Sequence, residues 1–220
     1  MARVLAASLK KIIASEHLSK TISDLSGELS SPELERLARF RFKHDALRFV
    51  AGRTLVRRLI STDVQIIESI DGSKPTLAST TPDAADFNIS HDGHWVLAGC
   101  TPTGIIGVDV AKVHCPPDLT TQEFVSEFPL SAWEQDYLAT RSQNHLLDFY
   151  RLWTAKEAYT KAIGTGIATV DLRSVNVDLD CSKIQNAEIE LSTGTLDSDD
   201  YVYCIATTPG IIPRVDIIEL

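Results

Sequence analysis

Glu157 and Lys161 lie four residues apart in the stretch Trp153 to Gly164, which reads WTAKEAYTKAIG. On a helix that spacing sets a carboxylate and an ammonium on one face, and Glu before Lys is the favourable order for a plain surface ion pair. The same pair suits a divalent cation held by the carboxylate with a phosphate held by the ammonium. Lys156 stands about 100° round the helix and need not share that work. A second carboxylate lies in GIIGVDVAKV. On a strand Ile106, Val108 and Val110 point one way, while Gly107, Asp109 and Ala111 point the other. Asp109 therefore has two small neighbours and room beside it. A mid-strand carboxylate is costly unless paired or coordinated. An Asp bonded to turn amides near a strand end is the plainer alternative, and this stretch alone does not decide.

Other donors are spread along the chain. Ser90 and His91, in FNISHDGHW, offer a hydroxyl and an imidazole N–H to a phosphate oxygen. His94 is read as an exposed turn residue, because no further ligands accompany the His91/His94 spacing to make a zinc site. Lys74, held against Pro75 in a loop after Gly72, presents a cation and open backbone groups. From Arg36 to Arg58 there are eight Lys and Arg residues (Arg36, Arg39, Arg41, Lys43, Arg48, Arg53, Arg57, Arg58) and one acid, Asp45. That run fits either an anionic ligand or a solvated basic helix face. The whole chain carries a net charge of −9, which argues against a general nucleic-acid binder.

The elements that must hold these residues can be read from periodicity. A helix starts at SSPELERL, with Ser31 as cap and Pro32 in the first turn. A second runs through DALRFVAGRTLVRRLI with an apolar stripe of Leu47, Val50, Ala51, Thr54, Leu55 and Leu59. FNIS and HWVLAGC are strands joined through Asp92-Gly93, and GIIGVDVAKV is another. LSAWEQDYLAT, capped by Ser131, and the long HLLDFYRLWTAKEAYTKAI, stopped at Gly164, are helices. VNVDL, AEIEL and YVYCIAT alternate as antiparallel strands. Helices then strands occur twice, so the expectation is an α+β fold of two similar halves related by a pseudo-two-fold axis. Each half would pack a small antiparallel sheet on a long helix, with residues 1–104 forming one and 105–220 the other.

With 44% hydrophobic residues the chain can bury a core, and no apolar run is long enough for a membrane helix. Lys10 and Lys11 break the N-terminal stretch before a signal-peptide core forms, so a cytoplasmic location is expected. Cys100, Cys115, Cys181 and Cys204 are widely spaced and read as free thiols.

The set SKP, FNISHDGHW, GVDVAKV and FYRLWTAKEAYTKAIGTGI resembles the 4′-phosphopantetheinyl transferase superfamily, in its surfactin-type, pseudodimeric branch. The family pattern G-[IV]-D is matched by Gly107-Val108-Asp109. The pattern W-x-x-K-E-A-x-x-K-x-x-G is matched at every fixed position from Trp153 to Gly164. The resemblance runs from about Arg36 to Ile167. It implies Mg²⁺-dependent transfer of 4′-phosphopantetheine from coenzyme A to a serine of an apo carrier protein, with release of adenosine 3′,5′-bisphosphate. It also implies that Asp109 and Glu157 bind Mg²⁺, that Lys161 binds the diphosphate, and that Glu157 is the base for the carrier serine. Ser90 and His91 would meet the coenzyme A phosphates, and Lys74 and Pro75 the adenine. Lys43 and Arg48 match the 3′-phosphate site best, with Arg39 and Arg41 weaker matches.

The chain departs from the bacterial pattern at one position. Bacterial members of the branch commonly carry a second acid two residues after the strand Asp, where this chain has Ala111. Eukaryotic members often lack it too. A high Mg²⁺ requirement is expected. The rival is a binding module that keeps coenzyme A or carrier affinity without turnover. The carrier, of acyl, peptidyl or aminoadipate-reductase type, is expected to dock between the halves near Asp109 and the segment HCPPDLTTQEFVSEFPLSAW. Phe124, Phe128 and Trp133 fit either an apolar dock or, better, core packing. A duplicated fold of this kind is expected to be a monomer.

Overall fold

In the computed structural model, which describes residues 1–60, 65–69, 74–165 and 169–220, the chain opens with a strand, β1 (Ala2–Ser8). Sequence periodicity predicts no element there. Val4 and Ala6 are buried on one face of β1 and Leu5 and Ala7 on the other, so the polar alternation of a half-exposed strand is missing. Helices α1 (Lys10–Ile13), α2 (Leu18–Ser26), α3 (Ser31–Leu37) and α4 (Lys43–Leu59) follow. The cap of α3 is Ser30 rather than Ser31. Glu33 decides this, because its carboxylate accepts both the Ser30 N–H at 2.8 Å and the Ser30 hydroxyl at 2.9 Å. The stripe expected on α4 is buried throughout.

A short hairpin, β2 (Ile66–Ile67) with β3 (Thr76–Leu77), precedes β4 (Asp86–Asp92), β5 (Trp95–Thr101) and β6 (Ile106–Lys112). Then come α5 (Thr121–Ser126), α6 (Ala132–Thr140) and the long α7 (His145–Ala162). Ser131 caps α6 as expected, and the Asn144 side chain caps α7 by accepting from Leu147 N–H at 3.2 Å. The remaining strands are β7 (Val177–Asp178), β8 (Lys183–Ile184), β9 (Glu190–Leu196), β10 (Tyr201–Thr207) and β11 (Pro213–Ile218). Gly72 and Ile167, cited above as the loop start and the motif's end, lie outside the described residues.

Besides the β2–β3 pair, the described residues form two larger sheets, ordered β11-β1-β5-β4 and β6-β10-β9-β8-β7. The first is not purely antiparallel, since β11 runs parallel to β1. Strand β11 thereby returns from the end of the chain to the sheet built by the first half. The layers follow from alternation. Leu5, Ala7, Val96 and Ala98 face α4, whereas Val202, Cys204 and Ala206 face α7. Val4, Ala6, Leu97, Ile106, Val108, Val110 and Ile205 meet between the sheets in a third apolar cluster. The order is helix, sheet, sheet, helix, with each long helix covering the outer face of its own half. Among the described residues no helix is long and apolar enough to cross a membrane.

Candidate active site

Strand β6 and helix α7 approach each other more closely than side chains ordinarily allow. A Cβ on Gly107 would collide with the Ala158 carbonyl oxygen and the Ala162 nitrogen, so glycine is what lets the strand lie on the helix backbone. Two residues along β6, Asp109 is 6% exposed, and from α7 come Glu157 and Lys161. The Asp109 Oδ1 accepts from Lys161 Nζ at 2.5 Å and from Ser90 Oγ at 2.8 Å. Ser90 Oγ in turn accepts from Lys161 Nζ at 3.1 Å and from Val110 N–H at 3.3 Å. Asp109 is thus held in mid-strand by side chains rather than by turn amides. Among the described residues the ion-pair partner of Lys161 is this strand carboxylate, so the lysine reaches off its own helix.

Burial pushes the Asp109 carboxyl above the ordinary range, and Lys161 and Ser90 only partly offset it. Glu157, half-buried, is also raised, first by desolvation and then by the charge of Asp109, with Lys161 opposing. The two acids therefore sense each other and share one cation. Two hard oxygen donors close enough for Asp109 to act on Glu157, with no third acid at buried Ala111, suit an ion that keeps water and substrate oxygens in its shell. Magnesium has that habit. Among the described residues no cluster of three or more His, Cys, Asp or Glu forms a metal site.

Beside this group, on the first half, a cleft of about 180 Å³ is lined by Arg36, Arg48, Phe49, Arg53, Pro75 and Phe87, with Asn88, Ile89 and His91 on β4. Of the residues expected to meet coenzyme A, Arg48, Pro75 and His91 line it. Arg48 is braced there, donating through Nε and Nη2 to the Gly93 carbonyl at 2.8 and 2.6 Å and pairing with Asp45 at 2.8 Å. Crowding by the surrounding protein, then the charges of Arg48 and Lys161, lower the His91 imidazole. Lys74, Lys43 and Ser90 do not line the cleft. The Lys74 ammonium is tied to Asp86 at 2.5 Å and to the Ile106 carbonyl at 2.6 Å. Lys43 is exposed and donates to Ser19 Oγ at 2.8 Å. Ser90 faces Asp109 instead.

The basic run divides accordingly. Arg57 and Arg53 pair with Glu33, and Arg53 and Arg36 pair with Glu68. Both Arg36 and Arg53 also lie 5.2 Å from the Phe49 ring centroid. The sequence alone assigns no individual role to Phe49, Arg36 or Arg53. The i, i+4 spacing of Phe49 and Arg53 on α4 was the signal available for them.

Lys156 is fully buried, pairs with Glu134 at 2.9 Å and donates to the Leu172 and Val175 carbonyls. It fixes α7 against α6 and the segment after α7, and does a different job from its neighbour Glu157. His94 is not an exposed turn residue. Its ring is bonded to Asp197 at 2.6 Å and to the Tyr201 hydroxyl at 3.1 Å, because the β9–β10 turn of the second half folds over it. Phe124 and Phe128 pack with Phe149 in the core of the second half, at 5.5 and 4.7 Å between ring centroids, while Trp133 stacks on Tyr137.

The fold and site define a class: a two-half α+β protein in which a cleft of one half adjoins a carboxylate pair and a lysine of the other. Residues 18–103 match the model of the 4′-phosphopantetheinyl transferase N-terminal region, and residues 105–206 match that of the 4′-phosphopantetheinyl transferase superfamily. The chain belongs to this superfamily. It is 30% identical over 205 residues to a phosphopantetheinyl transferase of Thraustochytrium sp., covering 83% of this chain and 71% of that protein. It is 33% identical over 148 residues to an L-aminoadipate-semialdehyde dehydrogenase-phosphopantetheinyl transferase of Xenopus laevis, covering 61% and 49%. It is 32% identical over 155 residues to the 4′-phosphopantetheinyl transferase psf-1 of Bacillus pumilus, covering 68% and 64%. The chain thus spans from about half to somewhat over two thirds of the length of these relatives.

Proposed function

We propose that this chain transfers the 4′-phosphopantetheine arm of coenzyme A to a serine hydroxyl of an apo carrier protein. The observation that carries this reading is the convergence of Asp109, Glu157 and Lys161 beside the cleft of Arg48, Pro75 and His91, in a chain matched by the family through both halves. In the reaction a bond forms between the serine oxygen and the β-phosphorus of coenzyme A. The bond from that phosphorus to the bridging oxygen breaks, and adenosine 3′,5′-bisphosphate leaves with the electron pair. Asp109 and Glu157 would hold Mg²⁺, which, when bound, neutralises diphosphate charge and favours the leaving group. Glu157 takes the serine proton, directly or through water. Lys161 reaches the diphosphate from the position it now shares with Asp109 and Ser90. Arg48 and His91 face the nucleotide phosphates and Pro75 the adenine.

The division of labour is then by half. Residues 1–104 take the nucleotide end of coenzyme A, and residues 105–220 supply the metal and diphosphate groups and the docking surface for the carrier. The carrier would approach near Asp109 and the segment from His114 to Trp133. An aminoadipate-reductase type carrier is one candidate, because the Xenopus relative is an L-aminoadipate-semialdehyde dehydrogenase-phosphopantetheinyl transferase, and acyl and peptidyl carriers are the others. A monomer working in the cytoplasm fits this reading. The second reading, a binding module without turnover, has Ala111 as its support.

The test is intact-mass analysis of several apo carrier proteins incubated with coenzyme A, Mg²⁺ and the chain. A gain of one phosphopantetheine on a carrier, absent with Glu157→Ala, supports transfer. No gain on any carrier, with coenzyme A still bound in calorimetry, supports the binding module.

A further inference from the structure

The two sheets meet at β4 and β6, each an edge strand of its own sheet, and no backbone ladder joins them. Edge N–H groups left bare are unfavourable in a protein interior. Here side chains do what a neighbouring strand would do. Asp86 Oδ2 accepts from Ile106 N–H at 2.8 Å, and Asn88 Oδ1 accepts from Val108 N–H at 2.9 Å. Ser90 Oγ accepts from Val110 N–H at 3.3 Å, and Asp92 Oδ2 accepts from Lys112 N–H at 2.7 Å. Each acceptor stands 20 residues before its donor. The rungs therefore climb both strands in steps of two. At the first rung Lys74 adds a bond to the Ile106 carbonyl while pairing with Asp86, which closes that end of the ladder.

Such a ladder has one register. A slip of β6 by one residue would turn every β6 side chain to the opposite face. Only in the observed register does Asp109 lie next to Ser90, with its carboxylate accepting the same hydroxyl that caps Val110. The sequence carried the signal as an alternation of short acceptors, Asp86, Asn88, Ser90 and Asp92, on a strand whose other residues include Phe87 and Ile89.

We propose that Asp86, Asn88 and Asp92 are positioning residues for the transfer reaction, registering β6 against β4 so that Asp109 of one half meets the cleft of the other. Asp86 and Asp92 line neither the cleft nor the carboxylate pair, whereas Asn88 also lines the cleft. All three act through Ser90 and Asp109. The proposal rests on the phosphopantetheinyl transfer reading above.

The test compares Asp92→Leu, which has no acceptor, with Asp92→Asn, which keeps one for Lys112 N–H. Asn88→Leu serves as an independent rung. Turnover is measured at saturating coenzyme A, carrier and Mg²⁺, together with amide hydrogen exchange, which does not depend on turnover. In the wild type the amides of Ile106, Val108, Val110 and Lys112 exchange slowly although they face away from β10. Asp92→Leu speeds exchange at Lys112 and lowers kcat by about ten-fold or more, since small displacements of catalytic groups are costly. Its KM for coenzyme A changes less than its kcat, and Asp92→Asn returns kcat to within about three-fold. Asn88→Leu speeds exchange at Val108 and lowers kcat likewise, and because Asn88 also lines the cleft it raises the KM for coenzyme A as well. Faster exchange in both leucine variants with kcat at the wild-type level overturns the positioning role, and so does failure of Asp92→Asn to restore kcat. Absence of transfer by the wild type on every carrier overturns the transfer reading itself, and slow exchange at the four amides would then leave the ladder as architecture alone.

Discussion

At the residue scale the site turns on how few charges serve it. Asp109 and Glu157 are both pushed toward protonation, and Lys161 is the cation bonded to Asp109. Ala111 shares the Asp109 face of β6 and is buried in the apolar cluster under α7. A carboxylate placed there would add a third hard oxygen beside the pair. Ala111→Glu should therefore lower the Mg²⁺ concentration for half-maximal transfer by roughly an order of magnitude. It should also lower the melting temperature without Mg²⁺, because a further charge enters an apolar setting. An unchanged Mg²⁺ profile would count against Asp109 and Glu157 as the metal pair. Glu157→Gln separates the base from the ligand. At saturating Mg²⁺ its kcat should fall by about 10²- to 10⁴-fold, the usual range for a lost general base. Wild-type turnover in that variant would remove Glu157 from the proton transfer. Spacing on one helix and one strand marks Glu157, Lys161 and Asp109 as candidates, because it is local information, and the resemblance to the family is what joins them into one site. The bond from Lys161 to Asp109 was not legible in the sequence, because it links residues 52 apart and depends on Gly107 admitting α7.

At the element scale, buried charges tie the helices to one another. Lys156 with Glu134 anchors α7, and removing one member of such a pair strands the other in the core. Lys156→Met should cost about 3–5 kcal/mol, readable from denaturant midpoints. A melt at the wild-type midpoint would show that the tie contributes nothing. Glu33 joins α3 to α4 through Arg57 and Arg53. Burial raises its carboxyl, but the bonds from Arg57 and Ser30 outweigh burial and the net shift is downward from 4.5. A lowered acid adds stability that is complete above its unfolded value and is lost as pH falls through the folded one. Wild type should therefore lose stability below about pH 4.5, where the unfolded chain takes the proton first. Glu33→Gln, which has nothing to titrate there, should lose less over the same interval in parallel denaturant titrations at pH 5, 4 and 3. Equal acid losses would place the dominant carboxylate elsewhere. Sequence periodicity found α4, α6 and α7 because each has a clear apolar stripe or cap. It passed over β1, which is Ala-rich and buried on both faces, and it placed the α3 cap one residue late.

At the scale of the whole molecule the two halves are not independent bodies sharing a linker. Ile106, Val108 and Val110 of β6 complete a cluster with Val4, Ala6 and Leu97 of the first sheet. Strand β11 pairs in parallel with β1, and Asp197 of the β9–β10 turn accepts from the Trp95 indole at 3.0 Å as well as bonding His94. The duplicated order of helices and strands was legible in the sequence, because each half repeats its own local pattern. The interleaving was not, since a parallel β11–β1 pair joins opposite ends of the chain and leaves no periodic trace. It has a thermodynamic consequence. If either half opened alone, the inter-sheet cluster would face water, and each apolar Å² exposed there would cost about 25 cal/mol. Unfolding one half should thus take the other with it. Scanning calorimetry of the full chain should give one transition, with calorimetric and van't Hoff enthalpies equal. Tryptophan fluorescence should report the same midpoint, with Trp95 between the sheets and Trp133 and Trp153 on the second half's helices. Two resolved transitions, or a midpoint that depends on the probe, would mean that the shared cluster and the parallel strand do not couple the halves.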